Sequence, residues 1–363
     1  MFAPQRPALV VDRVRYVGDP LAMVVADTLD HAKDAAELID VDYEILPSVT
    51  DTAFAARPDS PPIWDENPDN ISHFHERGDK APTEAAFAKA AHIVKRRYVI
   101  SRVHAQYLEP RGAIGVYDPG EDRYTLYADV NYPHRVRNML ANDVLGVPES
   151  NVRVVVEDVG GGFGTKGWQY VEHRLTLWAA RKVGRPVRWT CERSEAVMGD
   201  EHGRDNIGEI SLAFDDNGKI LGLHLDMIAN LGAYVASNRQ LLTPFGMIAT
   251  VTGVYDIAAA YVRIDAVLSN TNPTAPYRGA GRPEAIYLIE RALEDSAREL
   301  GIDAIELRRR NMIAPSQMPY KAPLGPVYDC GEFEINMDRV METADFAGFP
   351  ARRDASIARD WPG

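Results

Sequence analysis

The sequence predicts a mixed α/β chain of the α+β class, built from more than one domain. Three observations predict it. Residues 14–47 carry a compact strand–helix–strand signature. Residues 151–183 read as a strand that runs directly into a glycine-rich loop and then a helix. Residues 207–230 read as antiparallel strands around the turn Asp215-Asp216-Asn217-Gly218. The 363 residues are enough for two or three separate cores. A hydrophobic content of 45% with 26% charged residues is ordinary for globular protein. The formal net charge of -13 opposes nucleic acid phosphates and anionic membranes as partners. No apolar run reaches the ~18 residues of a membrane span. The first residues lack a basic stretch followed by an apolar one, so no signal peptide is read and a cytoplasmic location is expected. Cys191 and Cys330 are the two cysteines and form no CxxC. The chain is therefore expected to hold no iron–sulfur cluster or zinc of its own, and to keep two free thiols.

Taken in order, Gly18-Asp19-Pro20 is a turn, and residues 21–26 (LAMVVA) read as a buried strand. Leu29, Ala32, Ala36 and Ile39 recur at helical spacing, and residues 41–46 alternate as a strand that stops at Pro47. Residues 48–82 are rich in Pro, Asp, Asn and His without periodicity, which predicts a linker or long surface loop. Strands follow near residues 92–100 and 123–127, then a helix from His134 to Leu145. Val152, Val154 and Val156 share one face of a strong strand. A helix from about Gln169 to Val183 is stopped by Gly184 with Pro186 behind it. The last clear helix runs from Pro283 to Leu300, with Ile286, Ile289, Leu293 and Ala297 as its apolar stripe and Gly301 as its cap. Asp303 and Glu306 have capping-box spacing before a short helix into Arg308-Arg309-Arg310-Asn311.

The strand–loop–helix unit around Gly160-Gly161-Gly162-Phe163-Gly164-Thr165-Lys166 is the most informative stretch. Consecutive glycines permit positive φ and remove side chains, so that backbone N–H groups can converge on an anion or an oxo ligand. A phenylalanine among them suggests a wall beside something bound. Thr165 between Gly164 and Lys166 breaks the P-loop pattern. Gly162 to Gly167 matches GxGxxG literally, so from the loop alone a dinucleotide site stays open, as does a plain turn with no ligand.

The loop does not stand alone. Residues 158–166 (DVGGGFGTK) closely resemble the loop that cradles the molybdenum cofactor in the large subunits of the xanthine dehydrogenase/aldehyde oxidase/carbon monoxide dehydrogenase family. Further segments match that family in the same order. Residues 17–46 resemble the end of its α/β hammerhead domain, and residues 104–114 (HAQYLEPRGAI) its Glu-Pro-Arg-Gly segment. Residues 277–284 (YRGAGRPE) resemble its substrate-side Arg-Gly loop, and residues 307–311 (LRRRN) a late structural segment. The resemblance implies a partial hammerhead domain over 1–55, a linker over 56–90, the first part of a molybdopterin-binding domain over 91–345, and a tail over 346–363. It implies a molybdenum–molybdopterin cofactor, in the cytosine dinucleotide form for a bacterial enzyme, whose metal is held by the pterin dithiolene rather than by side chains.

By the same resemblance Gly161, Gly162, Phe163 and Gly164 line the cofactor, largely through backbone, and Arg278 approaches from the other loop. The family's Gln-x-Pro-His reads here Asn131-Tyr132-Pro133-His134, one methylene shorter at Asn131. Gly167 stands where xanthine enzymes carry a purine-contacting glutamate, and Ala280 where they carry a ring-stacking phenylalanine. Gly279 stands where the carbon monoxide enzymes carry a copper-ligating cysteine. Aldehydes or aromatic N-heterocycles remain as substrates. Iron–sulfur and FAD subunits are the implied electron-carrying partners.

The family's general-base glutamate lies in a Gly-x-Gly-Glu segment near its far C-terminus, and no such segment occurs here. The resemblance covers roughly the first half of the large subunit. A split subunit completed by another chain, or a truncated product, is therefore expected. The leading function is a component of a molybdenum hydroxylase. The alternative is an inactive remnant or an assembly or binding module.

Other candidates read as structural. Glu109-Pro110-Arg111 forms an ion pair or turn, and Glu172-His173 is far weaker than HExxH. His73 and His75 lack a third metal ligand and are read as residues of a surface loop. His202 and Arg204 resemble a family segment near the pterin, which leaves a site-side role open beside a structural one.

Overall fold

A computed structural model describes residues 1–359; the end of the tail, 360–363, lies outside the described residues. The first elements are helices α1 (Leu29–Glu37) and α2 (Thr52–Ala55), strand β1 (Ile71–Gly78), helix α3 (Lys80–Ala88) and strand β2 (His92–Ile100). Strands β3 (Gly112–Asp118) and β4 (Arg123–Ala128) precede helix α4 (Pro133–Met139), which continues as a wider π-type turn over Leu140–Leu145. Strand β5 (Val152–Val155), helix α5 (Val171–Val183), strand β6 (Val187–Thr190) and helix α6 (Arg193–Gly199) follow. Next come strands β7 (Asn206–Phe214) and β8 (Ile220–Gly232), helix α7 (Leu242–Ile248), strand β9 (Ala259–Leu268), and helices α8 (Arg282–Leu300) and α9 (Ala304–Asn311). The short pair β10 (Tyr320–Lys321) and β11 (Val327–Tyr328) and helices α10 (Phe333–Thr343) and α11 (Phe349–Ile357) complete the described chain.

Two larger sheets organise these elements. One is five-stranded in the order β1-β9-β8-β7-β2; the other is four-stranded in the order β5-β4-β3-β6. In the larger sheet every neighbouring pair is antiparallel except β8 and β9. Side chains alternate between faces along a strand. Gly208 lies against Leu288 of α8, and Gly222, whose partner is Ala213, lies against Ala86 and Phe87 of α3. Helix α8 therefore covers one face and α3 the other. Ile210, Leu212, Phe214, Leu288, Ile289 and Leu293 are fully buried in the core between the sheet and α8. In the smaller sheet Leu126, Val136, Leu140 and Leu177 form a second core with α4 and α5. A Cβ at Gly115 would meet the Thr176 backbone at 2.5 Å, so this glycine is what lets α5 lie directly on β3.

Several expectations hold. Gly184 and Gly301 cap α5 and α8 in the left-handed conformation, and Asp303 accepts from the N–H groups of Ile305 and Glu306. Others need correction. Residues 21–26 and 41–46 are not strands, and Val25, Val41, Tyr43, Ile45 and Leu46 are exposed: no neighbouring strand supplies the hydrogen bonds that a β-strand needs. Residues 48–82 are not an unstructured surface loop. They contain α2 and the edge strand β1, and Val49, Ala55 and Ile63 are buried against the ends of β8 and β9. His73 and His75 thus lie on β1. In α8 the buried stripe is turned by one position: Ile286 is exposed, and Ala285, Leu288 and Ala292 take its place. Glu306 pairs with Arg310 one turn on. No helix of the described residues is long and apolar enough to cross a membrane.

Candidate functional site

The glycine loop leaves β5 and doubles back before α5. Gly161 has φ +97°, Phe163 +48° and Gly164 +109°. A left-handed phenylalanine is uncommon and costs energy, which the surrounding contacts must hold in place. The loop is closed by the Thr165 N–H donating to the Gly162 carbonyl at 2.9 Å. Among the described residues, the backbone N–H groups of Gly161, Gly162, Phe163 and Gly164 donate to no protein acceptor. Phe163 is 49% exposed, a large apolar ring standing at the surface beside those donors.

Two further segments reach the loop. Asn131 follows β4. Its N–H donates to the Lys166 carbonyl at 2.9 Å, and its Oδ1 lies so near Gly162 that a Cβ there would meet it at 2.5 Å. The Arg278 N–H donates to the Phe163 carbonyl at 3.0 Å, and the Arg278 carbonyl accepts from Arg204 Nη2 at 3.0 Å. A Cβ on Gly164 would meet the Pro276 carbonyl at 1.9 Å, so the two loops touch backbone to backbone. Arg278 itself is exposed. The sequence-predicted residues Asn131, Gly161, Gly162, Phe163, Gly164 and Arg278 thus come together although they lie far apart along the chain. Arg204 also pairs with buried Glu284 at 2.5 Å, so its nearest task is to hold the Arg278 loop, while His202 Nε2 meets the Val197 carbonyl.

Beneath the loop runs a buried charged layer that the sequence reading did not assemble. Lys166 is 1% exposed and ion-pairs with Glu109 Oε2 at 2.9 Å and with Asp129. Glu109 Oε2 also accepts the Gly160 N–H at 2.6 Å. Burial would raise the Glu109 carboxyl, but the hydrogen bonds from Lys166 and Gly160 outweigh it and hold the group below the usual range. Arg111 pairs with Asp200 at 2.6 Å and with Glu172 at 2.8 Å, and stacks over Tyr170. Asp200 is also bonded by His104 and Tyr107. These partners hold the Asp200 carboxyl low despite its burial. Glu109, Arg111 and Glu172 are therefore structural ion-pair members. His173 is buried, with Nδ1 accepting the Tyr170 N–H at 3.1 Å. The two cysteines are free; burial pushes the Cys191 thiol up to about 12, so it is inert at neutral pH.

The dinucleotide reading fits poorly. Residues 165–171, which lead into α5, are all buried, and the Tyr170 N–H is taken by His173, so the helix start is closed to a pyrophosphate. The molybdopterin reading fits better: the free loop N–H groups, the glycines without side chains and the exposed Arg278 make a donor-rich cradle for oxo ligands and a pterin. No group of three or more His, Cys, Asp or Glu placed to hold a metal ion occurs among the described residues.

The chain is similar to known proteins along most of its length. Residues 63–312 match the family model of the molybdopterin cofactor-binding domain, and residues 1–47 that of the aldehyde oxidase and xanthine dehydrogenase a/b hammerhead domain. The chain belongs to the xanthine dehydrogenase/aldehyde oxidase/carbon monoxide dehydrogenase large-subunit family. It is 34% identical over 364 residues to the carbon monoxide dehydrogenase large chain of Hydrogenophaga pseudoflava, covering 96% of this chain and 45% of that one. The crystal structure of a Cu,Mo-CO dehydrogenase superposes with a TM-score of 0.90 at 32% identity, covering 98% of this chain and 47% of that one. Quinoline 2-oxidoreductase from Pseudomonas putida 86 superposes at 0.89 with 32% identity, covering 97% and 45%. The chain thus spans less than half the length of these relatives.

Proposed function

We propose that this chain forms one wall of the active site of a molybdenum hydroxylase, which oxidises an aldehyde or an aromatic N-heterocycle with oxygen derived from water. The observation that carries the reading is the convergence of the unpartnered loop N–H groups of residues 161–164 with Asn131 and the exposed Arg278. In this reading Gly161, Gly162 and Gly164 offer backbone donors, Phe163 screens the site from water, and Asn131 supplies an amide at the same edge. Arg278 holds developing negative charge on the bound substrate. When bound, the molybdopterin, in its cytosine dinucleotide form, supplies the two-electron oxidation. Gly279 supports a substrate other than carbon monoxide: its φ is +94° and a Cβ there would meet Pro283 at 2.5 Å, so a larger side chain such as cysteine is strained at this position.

The proposal includes a second pterin-binding half with a glutamate base, supplied by a further stretch of polypeptide or by a companion chain, with iron–sulfur and FAD subunits to carry electrons away, in the cytoplasm. It also divides this chain into a hammerhead part over 1–55 and a molybdopterin-binding part over 91–345, with β1 of the intervening residues 56–90 built into the sheet of the second part and α3 packed on it. The test is turnover of candidate aldehydes and N-heterocycles by the co-purified assembly in ¹⁸O-water. Label in the product, lost on Arg278→Ala, is the expected result. Unlabelled or absent product across both substrate classes, from an assembly that contains the cofactor, overturns the reaction assigned.

A further inference from the structure

We infer that Arg239 is the positioning residue of the glycine loop, an inference that rests on reading that loop as the cofactor cradle. Arg239 is 5% exposed and sits in a tight turn after β8. The turn is anchored by Gln240, whose Nε2 donates to the Leu231 and Tyr234 carbonyls at 2.7 and 2.8 Å. From this fixed base the Arg239 side chain reaches the loop. Its Nη2 donates to the Gly164 carbonyl at 2.6 Å, and its guanidinium lies 5.2 Å from the Trp168 ring centroid. Trp168 also carries Arg135 against its ring at 4.5 Å.

The guanidinium occupies the space that a side chain at residue 167 would need. A Cβ on Gly167 would meet Arg239 Nη2 at 2.5 Å, and Cζ and Nη1 at 2.7 Å. The absence of a side chain at Gly167 and the presence of Arg239 are therefore one arrangement. The Gly164 carbonyl and the Thr165 N–H belong to the same peptide plane. That N–H closes onto the Gly162 carbonyl, and the Gly164 carbonyl also takes the Gly167 N–H at 3.2 Å. By fixing this plane, Arg239 fixes the turn that carries the free N–H groups. A charge-assisted bond is strong enough to hold a peptide against its alternatives.

The experiment is hydrogen–deuterium exchange of the full chain, read at the peptide containing the Thr165 and Gly167 amides and at α8 as an internal control. Arg239→Gln and Gly167→Ala, the second of which displaces the guanidinium without removing it, should each speed exchange at 165–167 about tenfold with α8 unchanged. Arg239→Lys keeps a cationic donor for the Gly164 carbonyl and should restore most of the protection. Unchanged loop exchange in Arg239→Gln overturns the inference, as does Arg239→Lys exchanging as fast as Arg239→Gln. If Arg239→Gln does not fold, Gly167→Ala decides by the same criterion. Molybdenum content of the co-expressed assembly is read in parallel. A parent assembly without molybdenum would refute the cofactor reading, while the exchange comparison would still decide the role of Arg239.

Discussion

Lys166 shows how the glycine loop tolerates its own strain. Its ammonium is shut away between Glu109 and Asp129, and Glu109 in turn holds the Gly160 N–H. Removing one partner of a buried pair leaves the others uncompensated. Lys166→Met should therefore cost about 3 kcal/mol in urea unfolding, somewhat less than a fully buried pair because Glu109 is partly exposed. His173 gives a pH signature. Burial, aided by Arg111, pushes its imidazole down to about 4 from 6.5. The folded value lies below the unfolded one, so the unfolded chain takes up the proton first. The stability is fully present above pH 6.5 and is lost as pH falls toward 4, by an amount on the order of 3 kcal/mol. His173→Gln, which keeps an acceptor for the Tyr170 N–H, should flatten the fall in melting temperature between pH 6.5 and 4; an unchanged slope would contradict this account.

At the scale of elements, the site depends on backbone close approaches. Gly115→Val would drive a side chain into the Thr176 backbone and should destabilise the α5–β3 contact by about 3 kcal/mol, measured by denaturant unfolding. What the sequence made legible follows from locality. The turn at 215–218, the stop signals Gly184 and Gly301 and the cap at Asp303 act within a few residues, and each was readable. Strand β1 was hidden because ISHFHERG is an edge strand with charged and exposed positions, recognisable only from its partner β9. The segments 21–26 and 41–46 erred the other way: their alternation is strand-like, but pairing is non-local and no partner lies beside them. Asn131, Phe163 and Arg278 were readable only through the resemblance to a family. Arg239 was not readable at all, because nothing near it in the chain announces a contact with Gly164 75 residues away.

At the scale of the whole molecule, the N-terminal stretch divides into two parts. Arg6, Tyr16 and Asp19 are buried and tied to Gly199 and Tyr234, whereas none of the residues of α1 is buried. Amide exchange should accordingly be complete within seconds over 21–27 and 39–47 and slow in β7, β8 and β9. Comparable protection in both regions would contradict the observed architecture. The central claim is that the loop at 161–164, with Asn131 and Arg278, holds a molybdopterin. Its most direct test is the molybdenum and pterin content per chain after co-expression with the companion subunits. Close to one of each per assembly, lost when Phe163 and Arg278 are both replaced by alanine while the fold persists, is the predicted result. A folded, correctly assembled complex with neither molybdenum nor pterin would contradict it.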